Sequence, residues 1–270
     1  MTFTPPLDDA LLIDTHVHVF RKDMPLVHNP RHAPDYGFTV EQLLQTMDAN
    51  GVRLAVIAAG SPWGDYNDYT IEALRTSSRL RGTIIAQPSI ERMVLDRMHE
   101  EGVRGVRLPF IGMRELPDLD TFDYRKFLRR LVDLDWHVHL HLDGPRLPLV
   151  LPLLEKSGVK IVLDHIGRPD PVEGVDSEGF KAMVRSIEKG RTWVKLSGAY
   201  RLGGNIADCT RALCREVGYD KLFWASDCPF VGGENDTTYA ASVQWLIDTI
   251  PDAAARRRIF GENALAFYFS

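Results

Sequence analysis

The sequence lacks the features that mark several classes of protein. Only three of its 270 residues are cysteines, and no two of them have CxxC spacing. A small, odd number of cysteines is more typical of a protein in a reducing compartment than of one stabilised by disulfide bonds. No apolar run approaches the roughly 20 residues needed to cross a bilayer, and the first ten residues, MTFTPPLDDA, have no basic or apolar region typical of a signal peptide. We therefore expect a cytoplasmic protein with no membrane partner.

Positive charge and familiar catalytic motifs are also scarce. The chain has 37 acidic and 32 basic residues, a formal net charge of −5. Without a broad positive field to hold phosphates, nucleic acid is not an expected partner, whereas a homo-oligomer is compatible with the composition. GxSxG, HExxH, Walker and Rossmann patterns are all missing. These absences argue against an activated serine and against nucleotide binding.

The sequence does have a regular alternation of short apolar runs and amphipathic stretches. The apolar runs predict eight buried parallel strands, at Leu11–Val19, Leu54–Ala59, Thr83–Ala86, Gly105–Leu108, His137–Leu142, Lys160–His165, Thr192–Leu196 and Leu222–Ser226. The stretches between them predict helices, for example at Thr39–Asn50, Asn67–Ser78, Arg92–Glu101, Phe122–Asp133 and Leu147–Ser157. Another helix is predicted at about Asp252–Ile259. Eight such units predict one α/β domain over residues 1–270, a (β/α)8 TIM barrel, with residues 1–10 as a flexible extension.

The first predicted strand carries two histidines, His16 and His18, in an HxH pattern. Catalytic groups of a parallel barrel gather at the C-terminal ends of its strands. Residues two apart in a strand point to the same face, so both rings are expected in the mouth of the barrel. Two imidazoles placed there form half of a divalent-metal site or a pair of donors to a carbonyl oxygen.

Three later strand ends carry further candidates. His141 lies at the exit of the fifth strand and His165 at the end of the sixth. Asp164 is expected to point away from the mouth and to anchor a helix. Asp227 ends the eighth strand, where a carboxylate facing histidines suits a general base that takes a proton from water.

Arginines also collect at the predicted strand exits. They are Arg107, Arg114, Arg168 and Arg201. A planar guanidinium suits bidentate binding of a carboxylate. Ser61, just past the second strand, can add a hydroxyl donor. The pocket is therefore predicted to bind a small polyanion.

Six stretches in order along the chain carry a family resemblance. They are IDTHVHVF, RGVRLPF, VLDHIGRP, WVKLSGAYRL, LFWASDCP and GENALAFY. With them the sequence resembles the amidohydrolase superfamily, in the branch that holds 2-pyrone-4,6-dicarboxylate lactonases and sugar lactonases. The resemblance covers nearly the whole chain and implies a TIM-barrel hydrolase of a small carboxylated lactone, with 2-pyrone-4,6-dicarboxylate as the leading substrate.

The resemblance also implies roles for particular residues. His16, His18 and His165 would orient and polarise the lactone carbonyl, and Asp227 would be the base for the hydrolytic water. The residues that would hold substrate carboxylates are Ser61, Arg107 and Arg201, with Arg114 one residue from the expected second strand-four arginine and Tyr36 adding a hydroxyl. Arg168 and His141 complete the predicted substrate-binding set.

The metal content follows from the same resemblance. Binuclear members bridge their metals with a strand-four lysine, and the fourth predicted strand has none. Lactonases of this branch need no metal, so no cofactor is expected. The alternative is one zinc ion on His16, His18, His141 and Asp227, because His141 replaces a tyrosine of some members. A zinc-dependent decarboxylase or hydratase and a non-catalytic carboxylate-binding barrel are the alternative functions.

Overall fold

A parallel eight-stranded sheet forms the centre of the molecule. The computed structural model describes residues 11–270, so the predicted extension at residues 1–10 lies outside the described part of the chain. The strands are β1 Ile13–Val17, β2 Leu54–Ala58, β3 Leu80–Ile84, β4 Val103–Pro109, β5 His137–His141, β6 Lys160–Leu163, β7 Thr192–Leu196 and β8 Leu222–Trp224. They pair in chain order, as the predicted (β/α)8 barrel requires.

Helices follow the strands and pack on the outside of the sheet. They are α1 Val40–Ala49, α2 Asp68–Thr76, α3 Arg92–Glu100, α4 Phe122–Asp133, α5 Leu147–Ser157, α6 Glu178–Glu188, α7 Ile206–Val217, α8 Tyr239–Thr249, α9 Ala253–Arg257 and α10 Asn263–Tyr268. Their buried faces share one large apolar core with the outward side chains of the strands. Within residues 11–270, every helix is too short or too polar to cross a membrane.

Some strand limits differ from the prediction. The third strand runs from Leu80 to Ile84 and not from Thr83 to Ala86; the charged Arg81 interrupts its apolar pattern and is accommodated over the Phe269 ring, 4.9 Å from the centroid. The sixth strand ends at Leu163, and residues His165–Gly167 form a short 3-10 turn. The last predicted helix is shorter, since Arg258–Glu262 form a π-turn after α9.

The barrel closes where β1 meets the segment that follows β8. Val17 pairs with Cys228 in a parallel bridge, and the His18 amide donates to the Cys228 carbonyl over 2.8 Å. The Asp227 amide donates to the His16 carbonyl over 3.0 Å. Closure therefore places the first and last predicted catalytic segments side by side.

The N-terminal end of the barrel is filled with apolar side chains. Ile13, Val56, Val162 and Phe223 from the strands pack with Tyr268 of the C-terminal helix α10. This apolar plug leaves the opposite end of the barrel, where the strands end, for polar side chains.

Asp14 links β1 to the last strand and its helix. The carboxylate is fully buried, and its Oδ1 accepts from the amides of Ser226 over 3.0 Å and His16 over 3.1 Å. The Tyr239 hydroxyl of α8 donates to Oδ2 over 2.6 Å. Each donor compensates part of the cost of burying a carboxylate.

Replacement of Tyr239 by phenylalanine tests this link. Tyr239→Phe leaves one buried carboxylate oxygen of Asp14 without its hydroxyl donor, and we expect the free energy of unfolding to fall by about 1–3 kcal/mol. Urea unfolding measures the loss, with Tyr66→Phe at an exposed position as the matched control. Equal stability of the two variants would contradict the role of the bond.

His137 adds a pH dependence to the stability of the barrel. Its buried ring lies against Phe267 and Tyr268, with ring centroids 5.4 and 5.3 Å away. Nδ1 lies 2.7 Å from the Arg104 carbonyl oxygen and therefore donates to it. Burial, reinforced by the charge of Lys195, lowers the pKa of His137 to about 3.

Acidification should therefore weaken the fold through this residue. An unfolded histidine has a pKa of about 6.5, so below that pH the unfolded chain binds a proton that the folded chain does not. The contribution of His137 falls by up to about 1.4 kcal/mol per pH unit as the pH decreases from 6.5 toward 3. Urea unfolding at pH 7 and pH 5 should show a shallower pH slope for His137→Gln than for wild type. The exposed His28→Gln control should keep the wild-type slope; three equal slopes would exclude the effect.

Candidate active site

A cavity of about 40 Å³ opens at the C-terminal ends of the strands. Its lining consists of His18, Arg31, His32, Gly60, Ser61, Pro62, Trp63, Arg107, His141, His165, Arg201, Asp227 and Val231. The lining thus combines two carboxylate-binding residue types, arginine and serine, with histidines and a single carboxylate.

Four predicted catalytic residues meet beside this cavity. The Nε2 atoms of His16 and His18 lie 3.2 Å apart. Asp227 Oδ1 lies 3.5 Å from His16 Nε2 and 3.6 Å from His18 Nε2. His165 Nε2 lies 4.0 Å from the same oxygen. The structure therefore brings together all four residues that were predicted from the sequence to be catalytic.

Two of these residues hold a backbone conformation that is uncommon outside glycine. Asp227 has φ of 73° and His165 has φ of 51°. Left-handed backbone at a non-glycine residue costs free energy and is concentrated at functional sites. Here it turns the chain sharply as it leaves β8 and β6, and both side chains point toward the other two histidines.

The hydrogen bonds of the first strand assign the tautomers of His16 and His18. His16 Nδ1 lies 3.0 Å from Asp164 Oδ1, and His18 Nδ1 lies 2.7 Å from the Ala58 carbonyl oxygen. Because both partners are acceptors, each Nδ1 carries the proton and each Nε2 presents a lone pair. Two lone pairs and the Asp227 carboxylate therefore converge on one point.

This donor set fits a single zinc ion. Tetrahedral bonds of about 2.0–2.1 Å imply separations of about 3.3 Å between ligand atoms, close to the 3.2–3.6 Å found among His16, His18 and Asp227. The two Nδ1 hydrogen bonds are the outer contacts typical of metal-binding histidines. His141 is not part of this group; its Nδ1 lies 3.3 Å from the Arg107 guanidinium, and its Nε2 is buried without a partner in residues 11–270.

The predicted orientation of Asp164 is wrong. The side chain points into the barrel and is fully buried. Oδ1 accepts from His16 and from His139 Nε2, and Oδ2 lies 3.1 Å from Arg107 Nη2. Lys195 Nζ lies 3.9 Å away and 3.1 Å from His139. Asp164 therefore orients His16, a predicted catalytic histidine, and does not anchor a helix.

Asp227 is held through one oxygen and presents the other. The Tyr200 hydroxyl donates to Oδ2 over 2.8 Å, and Arg201 Nη2 lies 3.0 Å from the same atom. Burial alone would raise the pKa of this carboxyl, but the neighbouring histidines and Arg201 outweigh it and hold the pKa well below its usual range. Asp227 is ionised at neutral pH, with Oδ1 directed at the histidines.

Three histidines of the site, His16, His141 and His165, are neutral at the same pH. Burial lowers the pKa of His165 to about 4, although Asp227 opposes the shift. Burial also places the pKa values of His16 and His141 well below the usual range. His165 Nδ1 lies 2.9 Å from the Ser197 hydroxyl; when that hydroxyl donates, Nε2 carries the proton and becomes a donor near the cavity.

Two predicted anion-binding arginines are already paired with carboxylates. Arg107 is buried, donates from Nη1 to the Ala59 carbonyl over 2.8 Å, and pairs with Asp164. Arg201 pairs with Asp227. Both still line the cavity, as does Ser61 at the start of a 3-10 turn.

Three other predicted substrate-binding residues lie off the lining of this cavity. Arg114 is exposed in the loop after β4. Arg168 Nε lies 3.4 Å from Asp143, and its Nη1 is buried without a partner in the described chain. The Tyr36 hydroxyl donates to Glu234 over 2.9 Å.

Sequence patterns did not indicate several residues of the site. Arg31 and His32 come from the irregular segment between β1 and α1, where no periodicity assigns a direction to a side chain. Tyr200, in the LSGAYRL stretch next to Arg201, could have been noted from its position after β7. Trp63 lines the cavity and stacks on Phe20 with ring centroids 4.6 Å apart.

Comparison with known proteins gives the family of the chain. Residues 13–269 match the amidohydrolase family. A 4-sulfomuconolactone hydrolase of Hydrogenophaga intermedia is 28% identical over 93% of this chain and 86% of its own. A 2-pyrone-4,6-dicarboxylate hydrolase of Comamonas testosteroni is 26% identical over 95% of this chain and 90% of its own.

A solved structure agrees over the whole barrel. It is a crystal structure from Acinetobacter baumannii of a probable 2-pyrone-4,6-dicarboxylic acid hydrolase with citric acid bound. Its TM-score is 0.90 at 29% identity, over 95% of this chain and 98% of that one. The predicted family and fold are both confirmed, and this chain belongs to the amidohydrolase family.

Proposed function

We propose that this protein hydrolyses a carboxylated lactone and that 2-pyrone-4,6-dicarboxylate is its leading substrate. The observation that carries the proposal is the ionised Asp227, with Oδ2 held by Tyr200 and Arg201 and Oδ1 free toward the cavity. Relatives that hydrolyse 4-sulfomuconolactone and 2-pyrone-4,6-dicarboxylate by name support this substrate class.

In the proposed reaction, Asp227 Oδ1 takes a proton from water as the water oxygen attacks the lactone carbonyl carbon. Negative charge develops on the carbonyl oxygen, and the His165 Nε2–H, 4.0 Å from Asp227 Oδ1, is the imidazole donor for it. The ring C–O bond then breaks, and the proton returns from Asp227 to the leaving oxygen. Water and lactone thus give one ring-opened acid.

The cationic wall of the cavity supports binding of the substrate carboxylates. Arg107, Arg201 and Ser61 supply guanidinium and hydroxyl donors around the opening. Binding the substrate through its non-reacting carboxylates holds the ring against Asp227 and lowers the entropic cost of the attack.

A zinc-dependent form is a second candidate, favoured by the three lone-pair donors that converge at 3.2–3.6 Å. His16, His18 and Asp227 would hold the ion. Bound zinc supplies a Lewis acid for the carbonyl and lowers the pKa of water. The roles of the carboxylate-binding residues are the same in either form.

Replacement of the base tests the hydrolase proposal. Asp227→Asn keeps the shape of the side chain but removes its basicity, so kcat for 2-pyrone-4,6-dicarboxylate should fall by about 10²–10⁴-fold. Substrate affinity should stay within a few-fold. The loss of pyrone absorbance measures turnover, and Asp236→Asn, exposed on the same loop, is the control. Near wild-type turnover by Asp227→Asn would exclude this residue as the base.

Metal removal separates the two forms of the site. If the donor set holds zinc, the purified protein should contain close to one zinc per chain, and a chelator should lower kcat by at least about 10-fold until zinc is restored. His18→Ala should lose the metal, whereas the exposed His28→Ala should retain it. Full activity of metal-free protein would instead assign the histidines to hydrogen bonding.

A further inference from the structure

The reaction cavity adjoins a larger groove. The groove has a volume of about 720 Å³ against about 40 Å³ for the cavity. Three residues line both spaces: Arg31, Ser61 and Arg107. Beyond this boundary, the wall after β4 is apolar, with Phe110, Ile111 and Met113. The three shared residues therefore form the boundary between the cavity and the groove.

Arg31 differs from the other arginines at this boundary and in the cavity. The charge of Arg107 is paired with Asp164 at 3.1 Å, and that of Arg201 with Asp227 at 3.0 Å. Arg31 makes no ion pair with any carboxylate of residues 11–270. The carboxylate that attracts Arg31 is that of Asp143, which Arg168 already contacts at 3.4 Å, so Arg31 lacks an ion pair of its own in the described chain.

The segment that carries Arg31 is fixed at several points. Phe20 and Phe38 form a two-way backbone bridge at its ends, with N–O distances of 2.9 and 2.8 Å. The Val27 amide donates to the Pro62 carbonyl over 2.9 Å. The Phe20 ring stacks on Trp63, which itself lines the cavity. These contacts hold the loop across the exit of β2 and place Arg31 at the boundary.

The surroundings of Arg31 favour an incoming anion. Burial lowers the pKa of its guanidinium, and the positive charges of Arg168 and Arg201 lower it further. Arg168 also has a buried Nη1 without a partner in the described residues. An anion placed here offsets repulsion among guanidinium groups and gains charge-assisted hydrogen bonds.

We propose that Arg31 determines substrate specificity by binding a second anionic group of the lactone, on the side of the ring that faces the groove. The proposal rests on the proposed lactone hydrolysis and narrows it to dianionic lactones. Arg31 acts in recognition and takes no part in bond breaking, because within residues 11–270 the hydrogen bonds and ion pairs of Asp227 are made with other residues.

Paired substrates test the proposal. We compare kcat/KM for 2-pyrone-4,6-dicarboxylate with the values for 2-pyrone-4-carboxylate and 2-pyrone-6-carboxylate, in wild type, Arg31→Gln and the control Lys22→Gln. Lys22 is exposed in the same loop. Arg31→Gln should lower kcat/KM for the dicarboxylate by about 10- to 100-fold, the factor for one hydrogen-bonded charge pair. For one monocarboxylate, the value should stay within a few-fold of wild type.

The outcomes distinguish a role of Arg31 in recognition from a structural role, and they separate both from a failure of the proposed reaction. An equal loss on all three substrates, or none on the dicarboxylate, would overturn the proposal. If wild type hydrolyses no pyrone, the proposed reaction fails, and calorimetric titration with tricarballylate and glutarate decides the role of Arg31. Weaker binding of the tricarboxylate alone in Arg31→Gln would support anion recognition; unchanged binding of both would exclude it.

Discussion

The fully buried carboxylate of Asp164 organises the polar interior of this barrel. One oxygen accepts from His16 and His139, and the other pairs with Arg107. A carboxylate in this position is costly to bury, and removal of any partner would leave part of its charge uncompensated. The network thereby fixes the proton of His16 on Nδ1 and turns its Nε2 toward Asp227. Tautomer, ring orientation and the free lone pair at the reaction centre all depend on this single contact.

Two carboxylates in the same barrel mouth thus have separate roles. Asp164 uses both oxygens in contacts with strand residues and orients its neighbours. Asp227 is held through Oδ2 by Tyr200 and Arg201 of the turn after β7, and in the proposed reaction its Oδ1 takes the proton from water. Pairs of titratable groups in different environments commonly divide their work in this way. Arg107 and Arg201 both line the cavity, but each is paired with one of these two carboxylates. Much of their positive charge is therefore already neutralised.

Sequence periodicity predicted much of this arrangement. It gave the wrong side-chain direction for Asp164, at the end of β6. Alternation placed His16 and His18 together, and Asp227 falls in the same alternation as Phe223, although β8 itself ends at Trp224. For β6 the phase was assigned from His165, which made Asp164 point outward. Val162 fills the barrel interior, so Asp164, two residues on, points inward as well. His165 reaches the same site only because its φ of 51° breaks the alternation. A positive φ at a histidine leaves no signal in the residue pattern.

Periodicity could not predict the site residues that lie in loops. Arg31 lies in a segment without helix or strand period. The path of that segment is fixed by the Phe20–Phe38 bridge and by the hydrogen bond from Val27 to Pro62, which only the folded chain brings together. The strand residues of the site constrain one another through buried hydrogen bonds, so they tolerate little change. Loop residues at the rim are free of that constraint. Differences in substrate among barrels of this kind therefore arise most readily in such loops, while the carboxylates and histidines of the strands stay fixed.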